Sequence, residues 1–396
     1  MIQILHENNC CGCGACQVVC PVSCIHMVEG TLGAQLPRVD LQKCIKCGKC
    51  EKVCPMLHAE KEKNLAPQVA YAAYAENTAV RFAGSSGGLF GTLAKALVKE
   101  CYLVYGAAFD EDLKLKCTSA TNEAELVPLF KSKYLQSELA GRLAEIKQLL
   151  DSGSKVMFVS TPCQVTALKR FLGKPYVNLV LVDFLCHGTP SQRFFDECRE
   201  YEEKKRGGEI NTYSFRTKTK NGSTPHYVTL GLKKGNKQKN IVMPYFKSPY
   251  YAFFQRYITL RESCYDCIFS TPKRVSDITI ADFHDIERYE PSINRFDGVS
   301  MVMCHTQRGK ELFAAISDEL WVREFALSEL MGDGVLFGEK TKRPKVRDAF
   351  VQSYCEDNFE VFVKKNTSKK KQLIYGVYYK LPRFLRGVAK KICHIE

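Results

Sequence analysis

The sequence predicts two structural parts: a small α+β module at the N-terminus, followed by a larger α/β domain built on a mixed sheet. The first observation is that ten of the twenty cysteines fall between Cys10 and Cys54, in two runs of equal spacing. The second is a helical pattern at 162–172, flanked by continuous apolar segments at 155–160 and 177–185. Apolar segments joined by a helix are typical of parallel strands that are covered on both faces.

The N-terminal module, expected to span residues 1–60, is defined by its cysteine runs. The runs are Cys10-x2-Cys13-x2-Cys16-x3-Cys20-Pro21 and Cys44-x2-Cys47-x2-Cys50-x3-Cys54-Pro55. This spacing is typical of the two-cluster bacterial ferredoxin, in which the fourth cysteine of each run binds the other 4Fe-4S cluster. We therefore predict a ferredoxin-like module with one cluster on Cys10, Cys13, Cys16 and Cys54, and a second on Cys44, Cys47, Cys50 and Cys20.

Two alternatives compete with this prediction: a pair of zinc knuckles, or buried thiols that pack as small apolar groups. Zinc sites usually take four ligands in two pairs, whereas here a four-cysteine run with a trailing proline occurs twice. The repeat favours clusters. Cys11 and Cys24 lie outside the repeated spacing, and we predict that they are packing residues.

The larger domain is expected at 68–340. Its predicted elements are strands at 68–76 and 102–109, helices at 86–100 and near 137–150, the strand–helix–strand unit at 155–185, and strands near 210–218, 226–234 and 277–282. The last three suggest a mixed or antiparallel extension of an α/β core.

Four cysteines of this domain are candidates for a third cluster. Cys163 and Cys186 follow the two apolar segments of the strand–helix–strand unit, and Cys264 and Cys267 form a further pair. In open α/β sheets, ligands bind outside the carboxyl ends of the strands, and a right-handed crossover makes the two strands neighbours. A single cysteine here could instead be an inert core residue, and all four together could bind zinc.

A weaker signal is the segment Ser85-Ser86-Gly87-Gly88 at the start of a predicted helix. Small residues with unpaired amides at a helix N-terminus suit phosphate, although an ordinary helix cap has the same composition. Neither a dinucleotide-binding glycine motif nor a Walker loop is present. We therefore expect any bound flavin to lack a Rossmann-type site.

The charge distribution argues against a nucleic-acid partner. The formal charge is +14, but the segment from Lys364 to the end contains ten Lys and Arg residues and one acid. The excess therefore lies in a tail rather than on a broad basic surface. The start of the sequence, MIQILHENNCCGCG, lacks the pattern of a signal peptide, so we expect a cytoplasmic protein with reduced thiols.

The basic tail, expected at 341–396, interleaves aromatic and cationic residues between Tyr375 and Ile392. This pattern predicts an amphipathic segment that touches an anionic membrane surface, which would place the protein peripherally on the inner face of the membrane. A helix docked on the protein body, with its basic side in water, is the alternative. Pro382 would kink or end such a helix.

Residues 68–320 resemble the beta subunit family of coenzyme F420 hydrogenases and dehydrogenases. The stretches that carry the resemblance are SSGGLFGTLAKAL (85–97), KSKYLQS (131–137), VSTPCQVTALKRFL (159–172), LVDFLCHGTPS (181–191), FRTK (215–218), RESCYDC (261–267) and RVSDITIADF (274–283). The family often has GDFWG where this chain has Ala281-Asp282-Phe283-His284-Asp285, which leaves open a partner other than the deazaflavin that gives the family its name.

The resemblance implies bound FAD, and it implies that Cys163, Cys186, Cys264 and Cys267 hold a 4Fe-4S cluster beside it. The implied flavin contacts are Ser86, Gly87, Gly88, Lys133, Gln136, Ser160 and Thr161. It does not assign a catalytic residue.

Together, these observations predict an iron–sulfur flavoprotein oxidoreductase. Electrons would pass between a low-potential donor, such as a ferredoxin or reduced coenzyme F420, and an organic substrate through the clusters and FAD. One alternative is a non-catalytic electron-relay subunit of a larger redox complex. Another is a scaffold whose cysteines bind zinc structurally.

Overall fold

The computed structural model describes residues 2, 6–58, 64, 66–67, 69–219, 222–330, 338–379 and 381. The helices are α1 (Ala15–Val18), α2 (Lys49–Lys52), α3 (Pro55–His58), α4 (Thr78–Ala83), α5 (Leu89–Lys99), α6 (Glu123–Leu126), α7 (Ala140–Asp151), α8 (Pro162–Leu172), α9 (Gln192–Arg206), α10 (Pro249–Gln255), α11 (Glu262–Tyr265), α12 (Ile286–Tyr289), α13 (Gln307–Ala315), α14 (Arg347–Glu356), α15 (Phe359–Asn366) and α16 (Lys369–Tyr378). The strands are β1 (Ile25–Glu29), β2 (Gln35–Val39), β3 (Val69–Ala75), β4 (Tyr102–Phe109), β5 (Leu115–Ala120), β6 (Lys155–Ser160), β7 (Leu179–Phe184), β8 (Glu209–Thr219), β9 (Gly222–Lys234), β10 (Lys237–Pro244), β11 (Ile278–Asp282), β12 (Ser300–Cys304) and β13 (Leu320–Ala326).

The chain divides into two compact units. One comprises Met1–Gln192 with Leu260–Lys342, and the other comprises Arg193–Thr259 with Arg343–Glu396. The three-part division at 1–60, 68–340 and 341–396 stays a prediction.

The first unit is built on an eight-stranded mixed sheet, in the order β13-β3-β12-β11-β7-β6-β4-β5 among the described residues. Its centre is parallel: β4 pairs with β6, β6 with β7, and β7 with β11. The flanking pairs are antiparallel. The predicted mixed α/β class is therefore confirmed.

The strand–helix–strand unit forms as the sequence indicated. Val156, Met157 and Phe158 of β6 are fully buried, and helix α8 begins with Pro162, whose fixed φ suits the first helical position. Gly173 ends α8 in a left-handed conformation. Because β6 and β7 are parallel neighbours, their carboxyl ends meet at one edge of the sheet.

The N-terminal module carries an antiparallel hairpin of β1 and β2, with Ile25 opposite Val39. Cys11, Cys13, Ala15 and Val53 belong to the same apolar cluster as Val156 and Phe158 of the sheet strand β6. Burial of this apolar surface attaches the cysteine module to the sheet.

The second unit contains a three-stranded antiparallel sheet in the order β10-β9-β8. Its core is aromatic: Phe194, Phe253, Phe350 and Phe362 contact one another with ring centroids 4.9–6.2 Å apart. Aromatic rings in such tilted and edge-on contacts bury large apolar areas. The expectation that β8 and β9 extend the main sheet is wrong, because they pair with β10 in a sheet of their own.

The C-terminal tail is described only up to Tyr379 and at Leu381, so most of the predicted amphipathic segment lies outside the described residues. In the part described, Tyr375 and Tyr379 stack on Phe246, with ring centroids 5.7 and 6.0 Å from it. This portion follows the docked-helix alternative. None of the described helices is long and apolar enough to span a bilayer.

Candidate iron–sulfur centres

The first cysteine run lines a small cavity. Cys10, Cys13 and Cys16 line the cavity, and the fourth thiol is that of Cys54, from the second run. Gly14 adopts a left-handed conformation with φ +73° and starts α1, which places Cys16 inside the helical turn. The crossed set predicted from the spacing therefore lines one cavity.

The second run lines a matching cavity. Cys44, Cys47 and Cys50 line it together with Cys20 of the first run, which completes the second crossed set. Cys24, predicted to be a packing residue, is buried and places its Sγ 3.4 Å from that of Cys20.

Backbone amides point at several of these sulfurs. The amide of Gly12 donates to Cys10 Sγ at 3.3 Å, that of Ile2 to Cys50 Sγ at 3.3 Å, and that of Cys24 to Cys20 Sγ at 3.4 Å. Hydrogen bonds to the sulfurs are one of the means by which a protein tunes a cluster's reduction potential. The chain therefore supplies both thiols and supporting donors around each cavity.

The pattern of cysteines favours a cluster over a single metal ion. Within the described ranges, no three His, Cys, Asp or Glu side chains converge where one ion would bind. Each cavity is lined by the cysteines of its crossed set and by one further cysteine, Cys11 at the first and Cys24 at the second. A structural zinc site takes four ligands in two pairs, whereas the repeated run of four cysteines is typical of 4Fe-4S clusters.

Burial raises the pKa of three thiols of the first set. It raises the pKa of Cys16 to about 12 and also raises the pKa of Cys10 and of Cys54. The charge of neighbouring thiolates adds to the effect on the pKa of Cys16. Ligation by these residues must therefore be accompanied by proton release.

The third group of cysteines gathers at the edge where β6 and β7 end. Cys163 lies in the first turn of α8, Cys186 follows β7, and Cys264 lies in α11, with Cys267 shortly after it. After burial, the largest influences that raise the pKa of Cys186 are the charges of Cys264, Cys163 and Cys267. The charges of the other three cysteines thus act on the pKa of Cys186, as expected for thiols near one edge of the sheet, and their role as one ligand set stays a prediction.

The third group adjoins the first cavity. Cys11 and Cys13 belong to one apolar cluster against which Cys163 packs, and the charge of Cys163 raises the pKa of Cys10. Cys11 is buried and packs beside candidate ligands of both sets. No pattern in the sequence signals this contact, because it depends on how the module docks on the sheet.

Arg261 is a buried cation between the same two sets. Its guanidinium donates to Cys10 O at 3.3 Å and Gln35 O at 3.0 Å, and twice to Gln136 Oε1, at 2.9 and 3.2 Å. Only 4% of the residue is exposed. The pKa of Cys10, Cys163 and Cys264 is raised overall, chiefly by burial or by a neighbouring thiol. The positive charge of Arg261 acts in the opposite direction on each of these pKa values.

A second buried polar network, which the sequence reasoning missed, lies next to the third group. Arg274 and Asp183 form an ion pair at 4.0 Å, and Thr279 bridges Asp183 and His305. Burial raises the pKa of Asp183, and burial together with Arg274 lowers the pKa of His305 to about 3. The signal available in the sequence was the charged Asp183 within the otherwise apolar strand LVLVDF.

Comparison with known proteins agrees with both parts of this geometry. Residues 9–57 match the model of the 4Fe-4S dicluster domain, and residues 153–328 match that of the C terminus of the coenzyme F420 hydrogenase/dehydrogenase beta subunit. The chain is an iron–sulfur redox protein related to these beta subunits. The resemblance stated from the sequence is thereby confirmed.

Among solved structures, a chain of the F420-reducing NiFe hydrogenase complex from Methanosarcina barkeri is similar to this one. The identity is 14%, the TM-score is 0.43, and the match covers 79% of this chain and 91% of that chain. A search of curated proteins found no match.

The flavin contacts implied by the F420 beta-subunit resemblance come from three segments, and hydrogen bonds join these segments. The amide of Ser132 donates to Ser85 Oγ at 2.7 Å. Ser137 and Ser160 both donate to Gln164 Oε1. The segments that contain Ser86, Lys133 and Ser160 therefore lie in one neighbourhood, although the individual contacts stay predictions.

The glycines of the first segment have packing roles. A Cβ on Gly87 would overlap Ala73 O, and one on Gly88 would lie 2.8 Å from Arg81 Cα. Gly88 also has φ +86°. Close approach to other parts of the chain thus explains both glycines without a ligand.

The polar groups of the other implied flavin contacts form hydrogen bonds or close contacts within the protein. Lys133 donates to the carbonyls of Pro128 and Phe130 at 2.8 and 2.7 Å, and desolvation with some help from Lys131 lowers its pKa to about 7. Gln136 donates to the carbonyls of Cys11 and Gly12. Thr161 contacts Cys163 Sγ at 3.3 Å.

Proposed function

We propose that this chain is an iron–sulfur flavoprotein oxidoreductase that passes electrons between a low-potential donor, such as a ferredoxin or reduced coenzyme F420, and an organic substrate. One observation carries the proposal: Arg261, which precedes Cys264 in the chain, donates a hydrogen bond to Cys10 O in the loop that bears the first cysteine set. Two neighbouring sets of candidate cluster ligands support one-electron transfer from the N-terminal module into the sheet domain.

The residues divide into three ligand sets. Cys10, Cys13, Cys16 and Cys54 would hold the first cluster, Cys44, Cys47, Cys50 and Cys20 the second, and Cys163, Cys186, Cys264 and Cys267 the third. When bound, such clusters supply one-electron storage. Arg261 and Gln136 hold the first loop against the third group by hydrogen bonds to its carbonyls.

FAD binding is supported by the proximity of the three segments that contain the implied flavin contacts. Flavin would supply the pairing of single electrons into a two-electron step. The first implied segment, at 85–88, directly precedes α5. Lys133, whose pKa is lowered by desolvation to about 7, provides an amine on the second implied segment.

The alternative is an electron-relay subunit whose catalytic partner is a different chain. It is favoured by the hydrogen bonding of the implied flavin contacts, because Gln136 uses both its amide nitrogen and its oxygen within the protein. Ser86 likewise donates to Val299 O at 2.8 Å. A relay requires the third group of cysteines but no flavin.

Anaerobic purification with analysis of iron, sulfide, zinc and flavin separates these possibilities. Three clusters correspond to about 12 irons per chain, and the flavoprotein should contain about one FAD as well. Cys264→Ser should lower the iron content by about four, whereas Cys101→Ser, at an exposed cysteine outside the three sets, should retain all of it. Full iron without flavin would support the relay, and an iron-poor, zinc-containing protein would reject both.

Catalysis needs a separate measurement. The oxidoreductase should show bleaching of its flavin absorbance by a reduced donor, followed by recovery when an organic acceptor is added. A relay subunit should accept electrons from the same donor and return them only to another protein.

A further inference from the structure

The second cysteine loop has an exposed face, here called the second-loop face, formed by Ile45, Lys46, Lys49 and Lys52. Counted from the first cysteine of each run, these residues occupy the positions of Cys11, Gly12, Ala15 and Val18 in the first loop. The two loops can therefore be compared residue by residue.

The two loops share one backbone shape. Lys46 has φ +55° where Gly12 has +68°, and Gly48 has +72° where Gly14 has +73°. Each left-handed glycine begins a four-residue helix, α1 in the first loop and α2 in the second. Equivalent side chains therefore point in equivalent directions relative to their own cluster cavity.

In the first loop this face is an interface. Cys11 packs in the same apolar cluster as Cys163, and a Cβ on Gly12 would overlap Arg261 Nη2. Ala15 is fully buried, and Val18 packs against the same apolar cluster. The face is thus where the first set meets its neighbouring redox group.

In the second loop the same face is open to solvent. Ile45 is 61% exposed, Cys47 is exposed, and Lys46 and Lys49 line the mouth of the second cavity. Val22, on the same cavity, is 38% exposed. Residues 41–58 contain four lysines and one acid, whereas residues 10–21 contain no charged side chain.

We propose that the second-loop face is the docking surface for an acidic one-electron carrier protein. This proposal depends on one part of the proposed function, namely that the second cysteine set holds a cluster that accepts electrons. Apolar side chains ringed by lysines suit a protein partner of opposite charge, since apolar contact gives affinity and charge gives steering. One electron leaves the reduced centre of the carrier and enters the second cluster, with no bond made and no proton moved.

The test uses the full chain with its clusters, and a small acidic ferredoxin as the probe. Stopped-flow mixing should follow bleaching of the second cluster in wild type and in the double variant Lys46→Glu, Lys49→Glu. We expect the bimolecular rate to fall roughly tenfold or more at low ionic strength, and the two rates to converge at high salt. Ile45→Ser should slow reduction at all salt concentrations, because it removes apolar contact rather than charge.

Two controls make the result interpretable. Lys99→Glu with Lys310→Glu changes the net charge equally on two helices that do not line this cavity, and should leave the rate within about twofold. A reduced viologen, which needs no docking surface, should reduce every variant, and this shows that the second cluster is intact. Equal rates of the acidic probe with wild type and Lys46→Glu, Lys49→Glu would overturn the proposal, as would faster reduction by a basic carrier.

The outcome is separable from that of the proposed function. The signal is reduction of the second cluster itself, so docking is measured even in a chain that lacks FAD or a third cluster. A failed docking test with intact flavin chemistry would instead place electron entry elsewhere on the molecule.

Discussion

The two cysteine loops have the same spacing and nearly the same φ angles, yet one is buried and the other exposed. In the first, Cys10, Cys13 and Cys16 are all buried, and in the second, Cys47 is exposed and Cys44 is half-buried. The residues between the cysteines differ accordingly: small and uncharged in the first loop, apolar and cationic in the second.

The comparison distinguishes what the cysteine spacing determines from what the residues between the cysteines determine. The cysteine spacing and the left-handed residues shape a cavity with four thiols, and both loops do this equally well. The intervening side chains decide what lies beside the cavity. A loop that packs against another part of the protein needs small side chains at the contact, such as Gly12 beside Arg261. A loop that faces solvent can carry charged side chains.

The largest expected effect comes from exchanging the residues at the shared left-handed position. Gly12→Lys would place a side chain where the Arg261 guanidinium lies and would strain the backbone, at a cost of about 3–5 kcal/mol. We expect loss of the first cluster, seen as about four fewer irons per chain. Lys46→Gly removes an exposed side chain and should change stability by at most about 1 kcal/mol.

Anaerobic thermal unfolding and iron analysis of the two variants provide the measurement. Retention of all iron and of the wild-type midpoint by Gly12→Lys would show that the first loop is not packed as described.

Removing the buried cation should have the next largest effect. Arg261→Met leaves Cys10 O, Gln35 O and Gln136 Oε1 without their buried donor, at a cost of about 1–3 kcal/mol. It also removes a positive charge that favours the added electron, so the potentials of the first and third clusters should become more negative. Redox titration monitored by electron paramagnetic resonance checks this shift.

The matched control is Lys46→Met. Its charge is exposed and is screened by water and salt, so the potential of the second cluster should shift much less. Equal shifts in both variants would contradict the difference in burial between the two loops.

An iron chelator should remove the second cluster several times faster than the first, because its ligand Cys47 is exposed. About four of about 12 irons should leave in the first phase. The variant Cys47→Ser should lack this fast phase, whereas Cys13→Ser should retain it. Loss of all iron in a single phase would show that exposure of the ligands does not control access.

The smallest expected effect concerns the residues at the tips of the loops. Cys11→Ile adds volume at a buried position in the apolar cluster that also contains Cys13 and Cys163, and should destabilise the protein by about 1–3 kcal/mol. Ile45→Ala, at the equivalent exposed position, should stay within about 0.5 kcal/mol. The measurement is the anaerobic thermal unfolding midpoint of each variant. A lower midpoint for Ile45→Ala than for Cys11→Ile would contradict the prediction.

Much of the fold could be predicted because its signals are local. The predicted strand at 155–160 and helix at 162–172 have the bounds that the structure gives, since buried apolar runs and a proline at a helix start act within a few residues. The separate sheet of β8, β9 and β10 could not be predicted, because strand pairing depends on contacts that the hydrophobic pattern does not record.

By itself, the sequence determined the two crossed cysteine sets, because ligand spacing in a tight loop is a property of the chain over a dozen residues. It also indicated the third set, since parallel strands must end at one edge of a sheet. Only the tertiary structure decided that Cys11 and Cys163 pack in one apolar cluster and that Arg261 lies buried against the first loop. Those contacts join residues more than a hundred positions apart, and docking of the cysteine module on the sheet, driven by burial of its apolar surface, brings them together.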